Sequence, residues 1–249
     1  MQDKKKNSDY IFVSGGTSEI GEKIIENLIS EHKIIFSYNK SYKKANSIEK
    51  KFNKQNIILK YRIDLNDLSS IEKFSNFITL RKIKITNFLH VANIHFDRGK
   101  FFDIKKRIFS DVIFGNCVGS FYLTQKVSQN MKKNKKKKNI LFFSSQSAEY
   151  GGNKLSPYAA SKGFINSFSR SLAKELGLYN INVNNLILGK INTSSFQRNF
   201  KKQSNEKIIS DIPLRRLGNF DDIANVVKFI ISVHNSYISG AKIEITGGR

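Results

Sequence analysis

Two residues of unlike chemistry stand one helical turn apart in "SPYAASKGF": Tyr158 and Lys162, with only Ala159, Ala160 and Ser161 between them. Helical pairs at that spacing usually join opposite charges or two apolar groups. A phenol beside an ammonium does neither, and it points to proton chemistry. Far upstream, "YIFVSGGTSEIG" places Gly15, Gly16 and Gly21 directly after an apolar run. Glycines in a strand-to-helix turn let the backbone approach a diphosphate, and the helix start offers it unpaired N–H groups. A glycine turn with no ligand is the plainer alternative.

The elements that must position these groups alternate along the chain. Strands are expected at 10–14, 33–38, 56–61, 86–91, 139–144, 181–188 and 241–246, with helical stretches near 41–54, 67–82, 108–131, 156–177 and 220–234. A further helical face, Ile20, Ile24, Ile25, Leu28 and Ile29, follows the glycine turn. Strands this apolar, separated by helices, imply a parallel sheet covered on both faces. The expected fold class is therefore α/β: a Rossmann-like doubly wound parallel sheet of about seven strands. The whole chain, 1–249, is expected to form one nucleotide-binding domain, with functional residues just beyond the carboxyl ends of the strands. The second strand leads into "SYNKSYKK", which holds no acidic residue. A carboxylate there would favour NAD, whereas hydroxyl and basic groups suit the extra phosphate of NADP. Lys40 and Ser41 are the candidates for that contact. Asp64, after the third strand, is placed to meet an adenine amino group or to cap a helix.

Composition narrows the class further. Lys and Arg number 43 against 20 Asp and Glu, a net charge of +23. A basic surface attracts nucleic acid, anionic membrane or an acidic protein. Compositional drift toward lysine, asparagine and isoleucine is the alternative, and no nucleic-acid module pattern accompanies the densest run, "MKKNKKKKN" at 131–139. A nucleotide- or nucleic-acid-binding relic without catalysis is the reading this charge leaves open. The one cysteine, Cys117, rules out an intrachain disulfide and suggests a reducing compartment. No signal-peptide core and no membrane-length apolar run is visible, so a cytoplasmic protein is expected. No metal-ligand pattern is present.

Further residues complete a pattern in order along the chain. "FGNCVGSFYLTQ" supplies Asn116, "LFFSSQSAEYGG" supplies Ser145 thirteen positions before Tyr158, and "NNLILGKINT" supplies Ile191 and Thr193. With the glycine turn, the chain resembles the short-chain dehydrogenase/reductase family over nearly its whole length. Its last part, "DIPLRRLGNFDDIANVVKFI" and "SYISGAKIEITGG", resembles the β-ketoacyl-acyl-carrier-protein reductases and their near relatives. The resemblance implies a carbonyl–alcohol oxidoreductase. Tyr158 would be the general acid and Lys162 would lower its pKa and hold the nicotinamide ribose. Ser145 would hold the carbonyl oxygen, and Asn116 a proton-relay water. Cofactor contacts are implied for Gly15, Thr17, Ile20, Gly21, Lys40, Ser41, Asp64, Leu65, Ala92, Ile191 and Thr193, besides Tyr158 and Lys162. NADP(H) is the preferred cofactor, with NAD(H) as the alternative. The implied partners are a small-molecule carbonyl or alcohol and an acyl carrier protein, the latter docking near Lys135–Lys138. Sugar, polyol or secondary-pathway substrates are the alternative. A homotetramer or homodimer is implied too.

The pattern is broken at defined positions. Glu19 stands for the middle glycine of the turn, "HVAN" (90–93) for the usual Asn-Asn-Ala-Gly, Leu188 for a proline and Thr246 for an Asp or Asn. A carboxylate at Glu19 would repel a diphosphate unless it points to solvent.

Overall fold

The computed structural model describes residues 9–200 and 205–249. Seven strands form one parallel sheet: β1 (Asp9–Ser14), β2 (Lys33–Tyr38), β3 (Ile58–Arg62), β4 (Lys84–His90), β5 (Lys138–Ser145), β6 (Ile181–Leu188) and β7 (Lys242–Ile245). Their spatial order is β3-β2-β1-β4-β5-β6-β7. The order reverses between β1 and β4, so a crevice opens beyond Ser14 and His90, which face each other in register.

Ten α-helices lie among the described residues: α1 (Glu19–Leu28), α2 (Tyr42–Phe52), α3 (Leu68–Leu80), α4 (Lys106–Ile113), α5 (Ser120–Lys132), α6 (Ser147–Tyr150), α7 (Ser156–Leu176), α8 (Ser194–Phe200), α9 (Asn205–Ser210) and α10 (Phe220–Ile231). Alternation of side chains along each strand divides the core in two. On one face Ile11, Val13 and Phe36 pack with Ile25 of α1, Ile48 of α2 and Val227 of α10. On the other, Phe12, Phe88 and Phe142 pack with Phe74 of α3, Val127 of α5 and Ile165 of α7. Both faces are thus covered, which is why central strands such as β1 and β2 are largely apolar and buried.

The stretch expected as one helix over 108–131 is two α-helices joined by a π-turn at Phe114–Gly119. Gly119 lets this turn come close: a Cβ there would sit 2.1 Å from the Leu65 carbonyl oxygen. The side chain of any other residue would push the helix away from the end of β3. The lysine run also differs from expectation. It precedes and begins β5, so eight residues of extended chain carry Ser145 about 23 Å away, at the other edge of the sheet. Lys136 pairs with Asp9, Lys137 donates to the Ser232 carbonyl, and Lys138 is buried against the Asn134 carbonyl. These lysines close the bottom of the sheet, at the edge opposite Ser145. Among the described residues no helix is long and apolar enough to cross a membrane, and no group of His, Cys, Asp or Glu could hold a metal.

Candidate active site

The glycine turn is built around contacts that leave no room for side chains. Gly15 has φ +67, and a Cβ on it would lie 2.7 Å from the Ala92 Cα. Its N–H donates to Ser37 Oγ at 3.1 Å, tying the turn to β2. Ser18 caps α1, accepting from the Gly21 N–H at 3.0 Å and donating to the Gly15 carbonyl at 2.8 Å. Thr17 and Ile20 are half-buried beside it. Glu19 does not point to solvent: its Oε2 accepts the Ser194 N–H at 2.9 Å, across the groove at the start of α8. Thr193, one residue earlier, accepts the Phe196 N–H with its Oγ1 at 3.0 Å, which leaves its hydroxyl proton free to donate elsewhere. Ile191 is buried and bridges to Gly218. Lys190 anchors the far side of this segment through the Ile208 carbonyl and Asp211. The segment 193–210, where the sequence suggests a lid over the substrate pocket, lies partly outside the described residues.

Two buried acceptors on this rim have no partner: Asn39 Oδ1, just after β2, and Asn93 Oδ1, just after β4. A buried unpaired acceptor costs about 1–3 kcal/mol, and a ligand hydroxyl is one group that would satisfy it. With the glycine cradle between them, they fit the two riboses of a dinucleotide. Lys40 and Ser41 are exposed beside Asn39, and Ser41 precedes α2 without bonding it through its side chain. Asp64 is half-buried and accepts the Asn66 N–H; the cap of α3 is Asp67 instead. Leu65 is buried, its carbonyl facing Gly119.

A buried histidine joins the crevice to the helix beneath it. His90 Nδ1 lies 2.7 Å from Ser14 Oγ and its Nε2 lies 2.7 Å from Ser120 Oγ. Ser14 Oγ accepts the Ala92 N–H, and Ser120 Oγ donates to the Gly115 carbonyl, so the row is satisfied by a neutral ring. Burial, with the nearby Lys162 charge, holds the His90 pKa at about 3. Sequence reasoning saw only a departure at "HVAN"; its partners are distant in sequence.

The remaining expected residues converge on the other wall. Ser145 ends β5 beside Tyr158 on α7, and its hydroxyl acts on the phenol, pulling its pKa down against the effect of burial. Lys162 is buried, its Nζ 5.7 Å from the Tyr158 ring centre and donating to the Phe143 carbonyl at 2.8 Å. Asn116 sits in the π-turn and spends its side chain on structure. It accepts the Ile94 N–H at 2.6 Å and donates to the Ile94 carbonyl and to Ser161 Oγ. Ser161 in turn donates to the Tyr158 carbonyl, so the small residue between Tyr158 and Lys162 with a definite task is this serine.

One expectation is corrected here. Tyr158 lies above the ordinary phenol pKa, not below it, because burial dominates; the opposing pull comes from Ser145. Burial also lowers Lys162 to about 8, and its amine is turned to the Phe143 carbonyl instead of to the phenol oxygen.

Residues 16–249 match the family described as enoyl-(acyl carrier protein) reductase. The chain belongs to the short-chain dehydrogenase/reductase family. This short-chain dehydrogenase/reductase is 29% identical over 98% of both chains to 3-oxoacyl-[acyl-carrier-protein] reductase FabG of Buchnera aphidicola. It is 27% identical, over 97% of its own length and 96% of the relative's, to sorbitol-6-phosphate 2-dehydrogenase of Klebsiella pneumoniae. A solved glucose/ribitol-type short-chain dehydrogenase/reductase from Brucella melitensis superposes with a TM-score of 0.87 over 97% of this chain and 96% of that one, at 22% identity. Membership makes the chain an oxidoreductase of the NAD(P)-binding kind, and the non-catalytic reading falls.

Proposed function

We propose that this enzyme interconverts a carbonyl and an alcohol with NADP(H), and that its substrate is a 3-oxoacyl thioester presented by an acyl carrier protein. The observation that carries the reaction is the convergence of Ser145 at the end of β5 with Tyr158 and the buried Lys162 of α7, the Lys162 Nζ 5.7 Å from the Tyr158 ring centre. Both hydroxyls meet at one point, where a carbonyl oxygen can accept two hydrogen bonds as negative charge develops on it. The glycine turn and Thr193 would hold the nicotinamide cofactor, which would supply hydride to the carbonyl carbon. Tyr158 Oη gives its proton to the oxygen, and Ser145 Oγ holds that oxygen in place. Lys162, charged below a pH of about 8, is the cation assigned to steady the phenolate that results, its Nζ lying 5.7 Å from the Tyr158 ring centre. Asn116 fixes the position of α7 through Ser161. The Asn39–Lys40–Ser41 segment supports NADP(H) over NAD(H), since it offers amide, ammonium and hydroxyl donors and no carboxylate.

Support for the thioester comes from the FabG likeness over the full chain. A second reading, a sugar or polyol dehydrogenase, is favoured by the comparable likeness to the sorbitol-6-phosphate enzyme. Absorbance at the nicotinamide band, with 3-oxoacyl thioesters and polyols offered alongside each cofactor, decides between them; turnover of polyols alone would discard the thioester. Tyr158→Phe is expected to keep cofactor binding and lose turnover about a thousandfold. Undiminished turnover would remove Tyr158 from the reaction. A dimer or tetramer is supported by Phe109, Phe114, Val118 and Phe121, which expose apolar surface along α4 and α5, and light scattering tests it.

A further inference from the structure

Ser145 is held by a neighbour that no family pattern singled out. Ser147, the first residue of α6, donates its backbone N–H to Ser145 Oγ at 3.2 Å and its own hydroxyl to the same oxygen at 3.0 Å. A serine oxygen accepts two hydrogen bonds and donates one. With both acceptor positions filled by Ser147, the single proton of Ser145 has one direction left. We propose that Ser147 is a positioning residue that aims the Ser145 proton at the oxygen of Tyr158 and at the substrate oxygen that meets it. The proposal rests on the reaction assigned above but concerns a different atom.

The geometry makes the role specific to the side chain. The amide alone would leave one Ser145 lone pair free, and the Ser145 hydroxyl could turn away from the phenol. A helix of four residues, Ser147–Tyr150, keeps the Ser147 hydroxyl next to β5, and Glu149 within it is pinned by Asn166 of α7 and by Lys242 of β7. Ser147 is therefore placed by two neighbouring elements as well as by its own turn.

Ser147→Ala deletes the hydroxyl and keeps the amide. It is expected to raise the Tyr158 titration by about half a unit, because the phenolate loses part of a donor. The titration is read in the enzyme without cofactor as the ultraviolet difference between each variant and the same variant carrying Tyr158→Phe. Turnover should fall about tenfold while the NADPH dissociation constant, followed by fluorescence, stays unchanged. Ser147→Thr, which restores the hydroxyl, should return both values. In a Ser145→Ala background, Ser147→Ala should add nothing, since the two residues act through one proton. An unmoved phenol titration in Ser147→Ala, or an equal loss of turnover with Ser145 already removed, would overturn the proposal. The titration needs no substrate, so its outcome stands whether or not a thioester proves to be the substrate.

Discussion

The two walls of the crevice meet the same kind of demand by different means. On the Tyr158 wall, Ser145, Tyr158 and Lys162 stand in the expected order, and each is fixed by contacts from α7, β5 or the π-turn. On the glycine-turn wall, Glu19 and His90 stand where the family pattern has other residues, yet the turn keeps its shape. Ser18 caps α1, and His90 links Ser14 to Ser120. A proton transfer needs particular atoms at a particular point, so its residues cannot be exchanged. A turn needs only backbone angles and satisfied polar groups, and several side chains can supply those.

The contrast can be broken or sharpened by experiment. The largest effect belongs to the Tyr158 wall: Lys162→Met should cut turnover about a hundredfold with little change in folding. A loss of stability as large as the loss of turnover would show that the buried ammonium serves structure. Next comes Gly119→Ala, which forces a methyl into the Leu65 carbonyl and should cost about 3 kcal/mol in a denaturant titration.

His90 gives a pH signature. Its pKa is about 3 in the folded protein against an ordinary 6.5. Below about pH 6.5 the unfolded chain takes up a proton that the buried ring refuses, so stability falls on acidification by about 1.4 kcal/mol per unit down to near pH 3. His90→Leu should lose about 2 kcal/mol at pH 7, through the unpaired Ser14 and Ser120, and flatten that acid limb. An unchanged limb would assign acid sensitivity elsewhere. The smallest effect is expected at the rim. Glu19→Gln, which removes a negative charge beside the diphosphate position, should tighten NADPH binding about threefold, with the gain shrinking as salt rises. Weaker binding would show that the carboxylate holds the groove in its receptive shape.

How much of this was legible in the sequence depends on how local the cause is. Strands such as β1 and β2 were visible because both sheet faces are covered and their residues are apolar without alternation, whereas β7 at the edge alternates between exposed and half-buried residues. The order of Asn116, Ser145, Tyr158 and Lys162 was visible because the chain resembles a family whose pattern carries these residue types in that order. The π-turn was not, since the apolar rhythm runs through it unbroken and only the approach of Gly119 to Leu65 requires it. Nor were the partners of His90, which lie 76 and 30 residues away, or the orphaned oxygens of Asn39 and Asn93. Asp64 could be read as cap or contact; Asp67 takes the cap and leaves Asp64 beside the crevice. Four-residue spacing placed Lys162 beside Tyr158, but it said nothing of burial or of the Phe143 carbonyl, and those decide the direction of both pKa values.

The carboxylate of Glu19 and the amide of Ser194 are 175 positions apart in the chain. A contact of that separation gains nothing until six strands have been laid side by side, because the ends of the intervening loop must first be brought together. Closing the upper edge of the molecule therefore carries a larger loop-closure cost than pairing neighbouring strands does. In native-state hydrogen exchange, the Ser194 amide should open well before the buried strands of β1 and β5 do.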